Sequence, residues 1–130
     1  MPENALIVDN DFFFVKFLGD LLKERGLNVF QAYDGKQGIA VLENQIVNYV
    51  FVDIIMPRID GMQFIDFVRE KYPDAEFSII GMSDSIIELR ELQKEVGADY
   101  YLQKQPIEKM PEYVGRFMAF VEDAPFLSSS

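Results

Sequence analysis

The sequence predicts an α/β fold in which five parallel strands form a doubly wound sheet with helices on both faces. Five short apolar runs alternate with five stretches of helical spacing, and only a few residues connect them. Such alternation is typical of parallel sheets covered by helices. The run Tyr49–Val52 is continuously apolar, as in a strand buried on both faces. Right-handed crossovers would bring the carboxyl ends of all five strands to one edge of the sheet.

The chain opens with two strands and the helix between them. Ala5–Val8 is a short apolar run and predicts the first strand. Phe12–Arg25 has apolar residues at helical spacing, and Gly26 ends it. Leu27–Ala32 is a looser mixture that suits a strand at the edge of the sheet.

The middle of the chain predicts two helices around the third strand. The turn at Asp34-Gly35 starts the second helix, and Tyr49–Asp53 is the third strand. The third helix follows Gly61 and stops at Pro73. The inward-facing residues predicted for these two helices are Ile39, Leu42, Ile46, Ile65, Val68 and Tyr72.

The last third of the chain predicts two more strand–helix units. Phe77–Met82 and Asp99–Leu102 are the fourth and fifth strands, and a helix from about Ile86 to Val96 lies between them. The fifth helix tolerates Pro111 because that residue falls in its first turn. Its inner face is formed by Met110, Val114, Phe117, Met118 and Val121.

Length and composition favour one domain over residues 1–121, with residues 122–130 as a C-terminal tail or linker stub. Of the 130 residues, 49% are hydrophobic and 26% are charged, which suits a globular core. No apolar stretch reaches the roughly 18 residues of a membrane span, so we expect no membrane contact. The lack of cysteine fits a reducing compartment, and we expect a cytoplasmic protein. The net charge of −10 argues against direct nucleic-acid binding.

Polar side chains follow four of the five strands. The first strand is followed by Asp9, Asn10 and Asp11, the third ends at Asp53, and the fourth and fifth are followed by Ser83 and Lys104. Carboxylates from neighbouring strands form a hard-oxygen site that suits Mg²⁺, and the sequence has no histidine to bind other metals. A lysine and a hydroxyl opposite could hold phosphoryl oxygens. Asp53 would then be the nucleophile of a phosphoryl transfer.

Each of these residues also has an ordinary structural interpretation. Asp11 precedes Phe12 and is equally a helix cap or a ligand. A single serine or lysine after a strand is usually a turn residue or a solvated side chain. Their joint placement at one edge of the sheet favours a functional site.

The chain resembles the receiver domain of two-component response regulators, of the chemotaxis-regulator type, over residues 4 to about 121. Four motifs carry the resemblance: Ile7-Val8-Asp9-Asn10-Asp11, Val52-Asp53-Ile54-Ile55-Met56-Pro57 with Asp60-Gly61, Met82-Ser83, and Gly97-Ala98-Asp99-Tyr100-Tyr101-Leu102-Gln103-Lys104. The resemblance implies a flavodoxin-like sheet of strand order 2-1-3-4-5. It also implies that Asp53 is phosphorylated by a sensor histidine kinase or phosphotransfer protein with Mg²⁺.

The resemblance assigns roles to the remaining site residues. Asp9, Asp53 and the backbone carbonyl of Ile55 would hold the metal, and Asn10 stands where the family has its second metal-binding acid. Lys104 and Ser83 would contact the phosphoryl group. Tyr101 is either the aromatic switch residue or an ordinary half-buried strand residue. A switch would act on the face formed by the fourth helix, fifth strand and fifth helix, which could also support a homodimer.

Three positions depart from the family pattern. Asn10 is a neutral amide and a poorer metal ligand than an acid, so we expect weaker Mg²⁺ binding. Asp84 follows the serine and would repel a phosphoryl group by about 1 kcal/mol or more. Gln105 replaces the usual proline, which here is Pro106. A cis Lys104–Gln105 bond would cost roughly 2.5–4 kcal/mol, so either that strain is kept or the loop is rebuilt.

The favoured function is a signalling receiver that acts on an output domain or on a separate partner protein. We expect no enzyme activity beyond assistance to its own phosphorylation and dephosphorylation. Ile55 cannot orient an attacking water, so we expect a long-lived aspartyl phosphate. The alternative is a pseudo-receiver, which would be an interaction module that works without phosphorylation. An aspartate-nucleophile phosphatase would usually have an acid where this chain has Ile55. A nucleotide-binding protein would need a Gly-rich phosphate loop, which the sequence lacks.

Overall fold

The fold is a single parallel sheet of five strands, as the sequence predicts. The computed structural model describes residues 2–55, 61–85, 89–90 and 97–122. The strands lie in the order β2-β1-β3-β4-β5, all neighbouring pairs being parallel. Their bounds are Asn4–Val8 (β1), Asn28–Ala32 (β2), Tyr49–Asp53 (β3), Ser78–Ser83 (β4) and Tyr100–Gln103 (β5).

Helices follow the strands on both faces of the sheet. Their bounds are Phe12–Glu24 (α1), Gly35–Asn44 (α2), Gly61–Lys71 (α3) and Met110–Glu122 (the C-terminal helix), with a 3₁₀ turn at Ile107–Lys109. Leu89 and Arg90 are helical, and the rest of the predicted helix from Ile86 to Val96 lies outside the described residues. So do residues 56–60, which carry the Met56-Pro57 and Asp60 motif positions, and tail residues 123–130.

Two apolar layers enclose the sheet, because successive side chains of each strand point to opposite faces. Ile7 and Phe51 pack towards α1 and the C-terminal helix, whereas Val50 and Val52 pack towards α2 and α3. Every residue of β3 is buried, as predicted for the central strand. In the part of the chain that is described, no helix has the length and apolarity to cross a membrane.

Two sequence expectations are wrong in detail. Ile46 was expected to face inward, but α2 ends at Asn44 and Ile46 lies in the following loop, where it is 85% exposed. Asp99 was expected in the fifth strand but precedes it. Its carboxylate instead accepts hydrogen bonds from the backbone N–H of Ile79 (2.8 Å) and from Arg69 (2.9 Å), so it anchors the start of β5 beside β4.

Gly61 is the first residue of α3 and lies against the end of β3. A Cβ atom at this position would collide with the carbonyl oxygen of Asp53 and with Cα of Ile54. Only glycine therefore lets the first turn of α3 approach the strand end this closely. This close approach fixes the position of the backbone at Asp53, the end of β3.

Candidate functional site

Asp53 is a buried carboxylate at the carboxyl end of β3 and is only 7% exposed. Its Oδ1 accepts a hydrogen bond from the backbone N–H of Ile55 (2.9 Å), and its Oδ2 lies 3.2 Å from Nζ of Lys104. Burial raises the pKa of Asp53 to about 6, and the nearby carboxylate of Asp9 acts in the same direction. The Lys104 ammonium and the Ile55 N–H oppose this rise. The group is therefore largely ionised at neutral pH and is able to act as a nucleophile.

Asp9 is the second buried carboxylate and has no exposed surface. Backbone pairing continues one residue beyond β1, where the N–H of Asp9 donates to the carbonyl of Ala32 (3.0 Å), and this pairing holds Asp9 at the sheet edge. Its Oδ1 accepts from the backbone N–H of Asp11 (3.0 Å). Its Oδ2 lies 2.7 Å from Nζ of Lys104, yet within the described structure it accepts no well-aligned hydrogen bond. A metal ion that binds this oxygen would compete with the Lys104 ammonium.

Lys104 follows β5 and bridges the two carboxylates. Its backbone N–H donates to the carbonyl of Ser83 (2.8 Å), which extends the β4–β5 ladder and aims the side chain at the site. The side chain is 16% exposed. Burial lowers the pKa of Lys104, but its contacts with Asp9 and Asp53 outweigh that effect and raise the pKa above its ordinary value. The ammonium is therefore a permanent positive charge between two acids.

An aromatic ring covers the same ammonium. Nζ of Lys104 lies 4.5 Å from the ring centroid of Phe14, within the range of a cation–π contact. Asp11 is the N-cap of α1 and anchors the backbone at Phe14, because its Oδ1 accepts from the backbone N–H of Phe14 (3.1 Å). Of the two interpretations left open for Asp11, the structure therefore shows the helix cap.

Ser83 is the last residue of β4, which pairs with β3 on the side opposite β1, and it is 3% exposed. Its Oγ accepts from the backbone N–H of Ser85 (3.1 Å). A cavity of about 220 Å³ opens between these groups, and its lining is formed by Asp53, Ile55, Ser83, Asp84 and Lys104. The cavity gives Asp53 access to a small group from solvent.

The three departures from the family pattern lie around the rim of the site. Asn10 is exposed, and Asp84 is exposed where it lines the cavity. The Lys104–Gln105 bond is trans, and the N–H of Gln105 points to Sδ of Met110 (3.3 Å). Pro106 then starts the 3₁₀ turn. The loop is thus rebuilt, which is one of the two outcomes expected for it.

Tyr101 is half-buried in β5 and packs against β4 on the α3 face of the sheet. A Cβ atom added to Gly81 would lie 3.3 Å from Cδ1 of Tyr101, so the ring covers this glycine two residues before Ser83. Burial raises the pKa of Tyr101 above its usual value. The ring is therefore a neutral group at physiological pH, and it lies next to the strand that carries the serine.

The donor set of the site suits a hard divalent cation. Asp9 and Asp53 supply carboxylate oxygens, and Oδ2 of Asp9 lacks a well-aligned donor. No group of three acidic side chains is close enough to share a metal in the described residues. Mg²⁺ typically takes one or two carboxylates and keeps several waters, so two acids fit this ion.

The structure brings together Asp9, Asp53, Ser83 and Lys104, which the sequence placed at one edge of the sheet. Ile55 lines the same cavity, and Asn10 is exposed directly after Asp9. Tyr101 packs over Gly81, two residues before Ser83. Sequence reasoning missed Phe14, whose helical spacing indicated only a core residue. The available signal was its position in the first turn after the Asp9-Asn10-Asp11 loop.

Comparison with known proteins gives a consistent family. A model described as the response regulator receiver domain matches residues 5–114. The transcriptional regulatory protein CpxR of Klebsiella pneumoniae is 36% identical over 100 residues, covering 76% of this chain and 41% of CpxR. The chain spans about two fifths of the length of such curated relatives, with 41% and 43% in two cases.

Solved structures share the fold. The chemotaxis protein CheY4 of Vibrio cholerae superposes with a TM-score of 0.74 at 23% identity, over 89% of this chain and 98% of CheY4. The response regulator TrrA of Thermotoga maritima, in complex with Mg²⁺-BeF, superposes with a TM-score of 0.72 at 24% identity, over 88% of this chain and 97% of TrrA.

Proposed function

This chain belongs to the response regulator receiver domain family, and from that premise we propose that Asp53 accepts a phosphoryl group from a histidine of a sensor kinase or a phosphotransfer protein. The observation that carries the proposal is the placement of Asp53. Its carboxylate is buried and held between the Ile55 N–H and the Lys104 ammonium, yet it faces a cavity open to solvent. A carboxylate with only a structural role would need no such opening.

The proposed transfer breaks one bond and forms one bond. A carboxylate oxygen of Asp53 attacks phosphorus, the P–N bond to the donor histidine breaks, and its electron pair returns to the imidazole, which takes up a proton from solvent. The Lys104 ammonium neutralises charge on the phosphoryl oxygens, and the Ser83 hydroxyl donates to one of them. The backbone N–H of Ile55 keeps the carboxylate oriented.

Mg²⁺ is the cofactor that this site would take, held by Asp9, Asp53, the Ile55 carbonyl and, weakly, Asn10. When bound, it supplies charge neutralisation and orients the phosphoryl oxygens. The two buried carboxylates of Asp9 and Asp53 support this assignment. A homologous fold, TrrA, was solved with Mg²⁺-BeF.

We expect Ser83 and Tyr101 to transmit phosphorylation of Asp53 to the surface of the domain. We expect the Ser83 hydroxyl to move towards the phosphoryl group and Tyr101 to follow into the space beside Gly81. The surface that changes includes β5 and the C-terminal helix, where Tyr100 packs edge-on to Phe117 (6.3 Å) and to Phe120 (6.0 Å). Phe120 is 58% exposed, so this surface suits a partner protein, an output domain or a second copy of the chain. A cytoplasmic location follows if the donor is a cytoplasmic kinase domain.

The phosphorylated form should be long-lived. Ile55 lines the cavity and is 50% exposed, so an apolar side chain stands beside the phosphoryl group and cannot orient an attacking water. We expect Ile55→Glu to shorten the lifetime of the aspartyl phosphate by about 100-fold, the low end of general acid–base effects. Timed loss of the phosphate by intact mass measures this, and a wild-type lifetime of seconds would contradict the expectation.

A phosphorylation-independent interaction module is the second candidate. It is favoured by Asp84, which adds an acid to the cavity lining, and by Asn10, which removes a metal-binding acid. The extra acid repels a phosphoryl group, and the loss of an acid at position 10 weakens the attraction of the site for Mg²⁺.

One experiment separates the two functions. The protein is incubated with millimolar Mg²⁺ and acetyl phosphate, and intact mass is followed with Asp53→Asn as the control. A receiver gains one phosphoryl mass that the variant lacks, and beryllofluoride changes its backbone NMR spectrum. If the mass and the spectrum stay unchanged, the domain is an interaction module.

A further inference from the structure

We propose that Phe14 is a positioning residue whose ring holds the Lys104 ammonium in the corner between Asp9 and Asp53. Nζ of Lys104 lies 2.7 Å from Oδ2 of Asp9, 3.2 Å from Oδ2 of Asp53 and 4.5 Å from the centroid of the Phe14 ring. The ammonium thus meets two carboxylates and the electron-rich face of an arene. Its effect on phosphoryl binding rests on the proposed function, whereas the contact itself does not.

The backbone that carries the ring is tied to the carboxylate of Asp9 through Asp11. Asp11 donates its backbone N–H to Oδ1 of Asp9 (3.0 Å) and accepts the N–H of Phe14 through its own Oδ1 (3.1 Å). The contacts therefore form a closed circuit from Asp9 through Asp11 to Phe14, on to Lys104 and back to Asp9. One capping residue of α1 sets the positions of the acid and the ring together.

The Lys104 side chain needs such a constraint because other rotamers and another carboxylate are open to it. Its four-carbon stem carries many rotamers, and a third carboxylate, Asp84, lines the same cavity. The Phe14 ring favours the corner at Asp9 and Asp53 over that alternative, because a cation–π contact is strongest where water is excluded. The side chain of Lys104 is 16% exposed, which meets that condition.

The ring should therefore matter for a phosphoryl group more than for the metal. A phosphoryl group on Asp53 needs the ammonium already beside that residue. A cation on Asp9 competes with the same ammonium, so loosening Lys104 does not weaken metal binding. A general loss of structure would weaken both.

The first test observes the contact without metal or phosphate. In the full chain, ring current from Phe14 should shift the ε-CH₂ proton resonances of Lys104 upfield. Phe14→Leu should abolish that shift and Phe14→Tyr should keep it. Phe17→Leu is the matched control, because Phe17 is half-buried on the same helix and packs against the same core. Resonances that do not change in Phe14→Leu would overturn the proposal.

The second test measures two affinities by NMR titration. Phe14→Leu should weaken beryllofluoride binding at saturating Mg²⁺ by about 3- to 10-fold, the range expected of a partly buried cation–π contact. Its Mg²⁺ affinity should not fall. Equal losses for both ligands, or an equal effect in Phe17→Leu, would contradict the proposal.

A series of fluorinated analogues keeps both tests decisive. Phenylalanine analogues with more ring fluorines, placed at position 14, keep the shape of the ring and weaken its negative face, so the beryllofluoride affinity should fall stepwise with fluorination. This series replaces Phe14→Leu if that variant does not fold. Failure of the wild type to bind beryllofluoride would instead refute the proposed function, and the ring-current test would still decide the role of Phe14.

Discussion

The two edges of the sheet, at the amino and at the carboxyl ends of its strands, handle polar groups in opposite ways. At the amino edge, the backbone N–H of Asn4 donates to Oδ1 of Asn48 (2.8 Å), and its side-chain amide donates to the carbonyl of Ile46 (2.7 Å). At the carboxyl edge, two buried carboxylates share one ammonium, and Oδ2 of Asp9 lacks a well-aligned donor. The Asn4 groups at the amino edge are both hydrogen-bonded, whereas the carboxyl edge has two carboxylates for one ammonium.

The two edges also differ in the pKa values of their ionisable groups. At the amino edge, burial and the neighbouring Glu3 raise the pKa of Tyr49 to about 12, so its hydroxyl stays neutral at every physiological pH. At the carboxyl edge, burial raises the pKa of Asp53 to about 6, so its charge depends on conditions close to neutrality. The difference indicates that the amino edge stabilises the fold and the carboxyl edge keeps charge available for a ligand.

The largest effect should come from Lys104→Met. This variant leaves two buried carboxylates without a counter-charge, and breaking buried ion pairs in this way costs about 3 kcal/mol of unfolding free energy. The loss should be greatest at pH 8 and smaller at pH 5, where a proton can replace the lysine on Asp53. Urea denaturation at the two pH values measures it. A loss independent of pH would mean that the stem of Lys104, and not its charge, matters.

Asp53→Asn should have the opposite sign. The folded pKa of Asp53, about 6, lies above the ordinary value of 3.8, so ionisation costs more in the folded state. The wild type therefore loses stability as the pH rises from about 4 through 6. We expect the variant to gain about 1–2 kcal/mol at pH 7.5 and almost nothing at pH 4.

The same denaturation series tests this variant, in metal-free buffer because bound Mg²⁺ would stabilise only the wild type. A less stable variant at pH 7.5 would show that the carboxyl edge is as well paired as the amino edge.

Asn48→Ala tests the amino edge. It removes the acceptor of the part-buried Asn4 N–H, and an unpaired group of this kind costs about 1–2 kcal/mol. Because no charge is involved, the loss should be equal at pH 5 and pH 8. The beryllofluoride affinity should match that of the wild type, and a weaker affinity would show that the two edges are coupled.

Arg25→Gln should have the smallest effect. Arg25 pairs with Glu122 at 3.3 Å across α1 and the C-terminal helix, and their side chains are 33% and 39% exposed. Such pairs contribute about 0.5 kcal/mol or less and weaken with salt. Thermal melts at low and at 0.5 M NaCl measure the difference, which should vanish at high salt. A difference that persists would place this pair among the buried contacts.

The fold could be predicted because its signals are periodic and local. The unbroken apolar run of β3 indicates a strand buried on both faces, and the parallel topology then carries Asp9, Asp53, Ser83 and Lys104 to one edge without any knowledge of distances. The two expectations that failed, for Ile46 and Asp99, concern residues at the ends of elements. Ile46 was misplaced because α2 ends two residues earlier, and no strong stop signal marks Asn44.

The unpredicted parts of the site depend on contacts between distant elements. Phe14 has the helical spacing of a core residue, and only the approach of β5 shows that its ring faces Lys104. Asp11 was equally a cap or a ligand because both need an acid before the first helical turn. The roles of the residues in phosphoryl transfer remain predictions, since they depend on ligands that the sequence does not contain.

Gly61 has a consequence for genetics. Any side chain there would displace the backbone of Asp53 and Ile54, so a substitution at a residue with no functional group should disable the proposed nucleophile while leaving Asp53 itself intact. A screen for signalling-defective alleles should therefore recover changes at Gly61 beside those at Asp53. Such alleles would resemble active-site mutations in phenotype, and suppressors should be sought in the loop that follows Asp53.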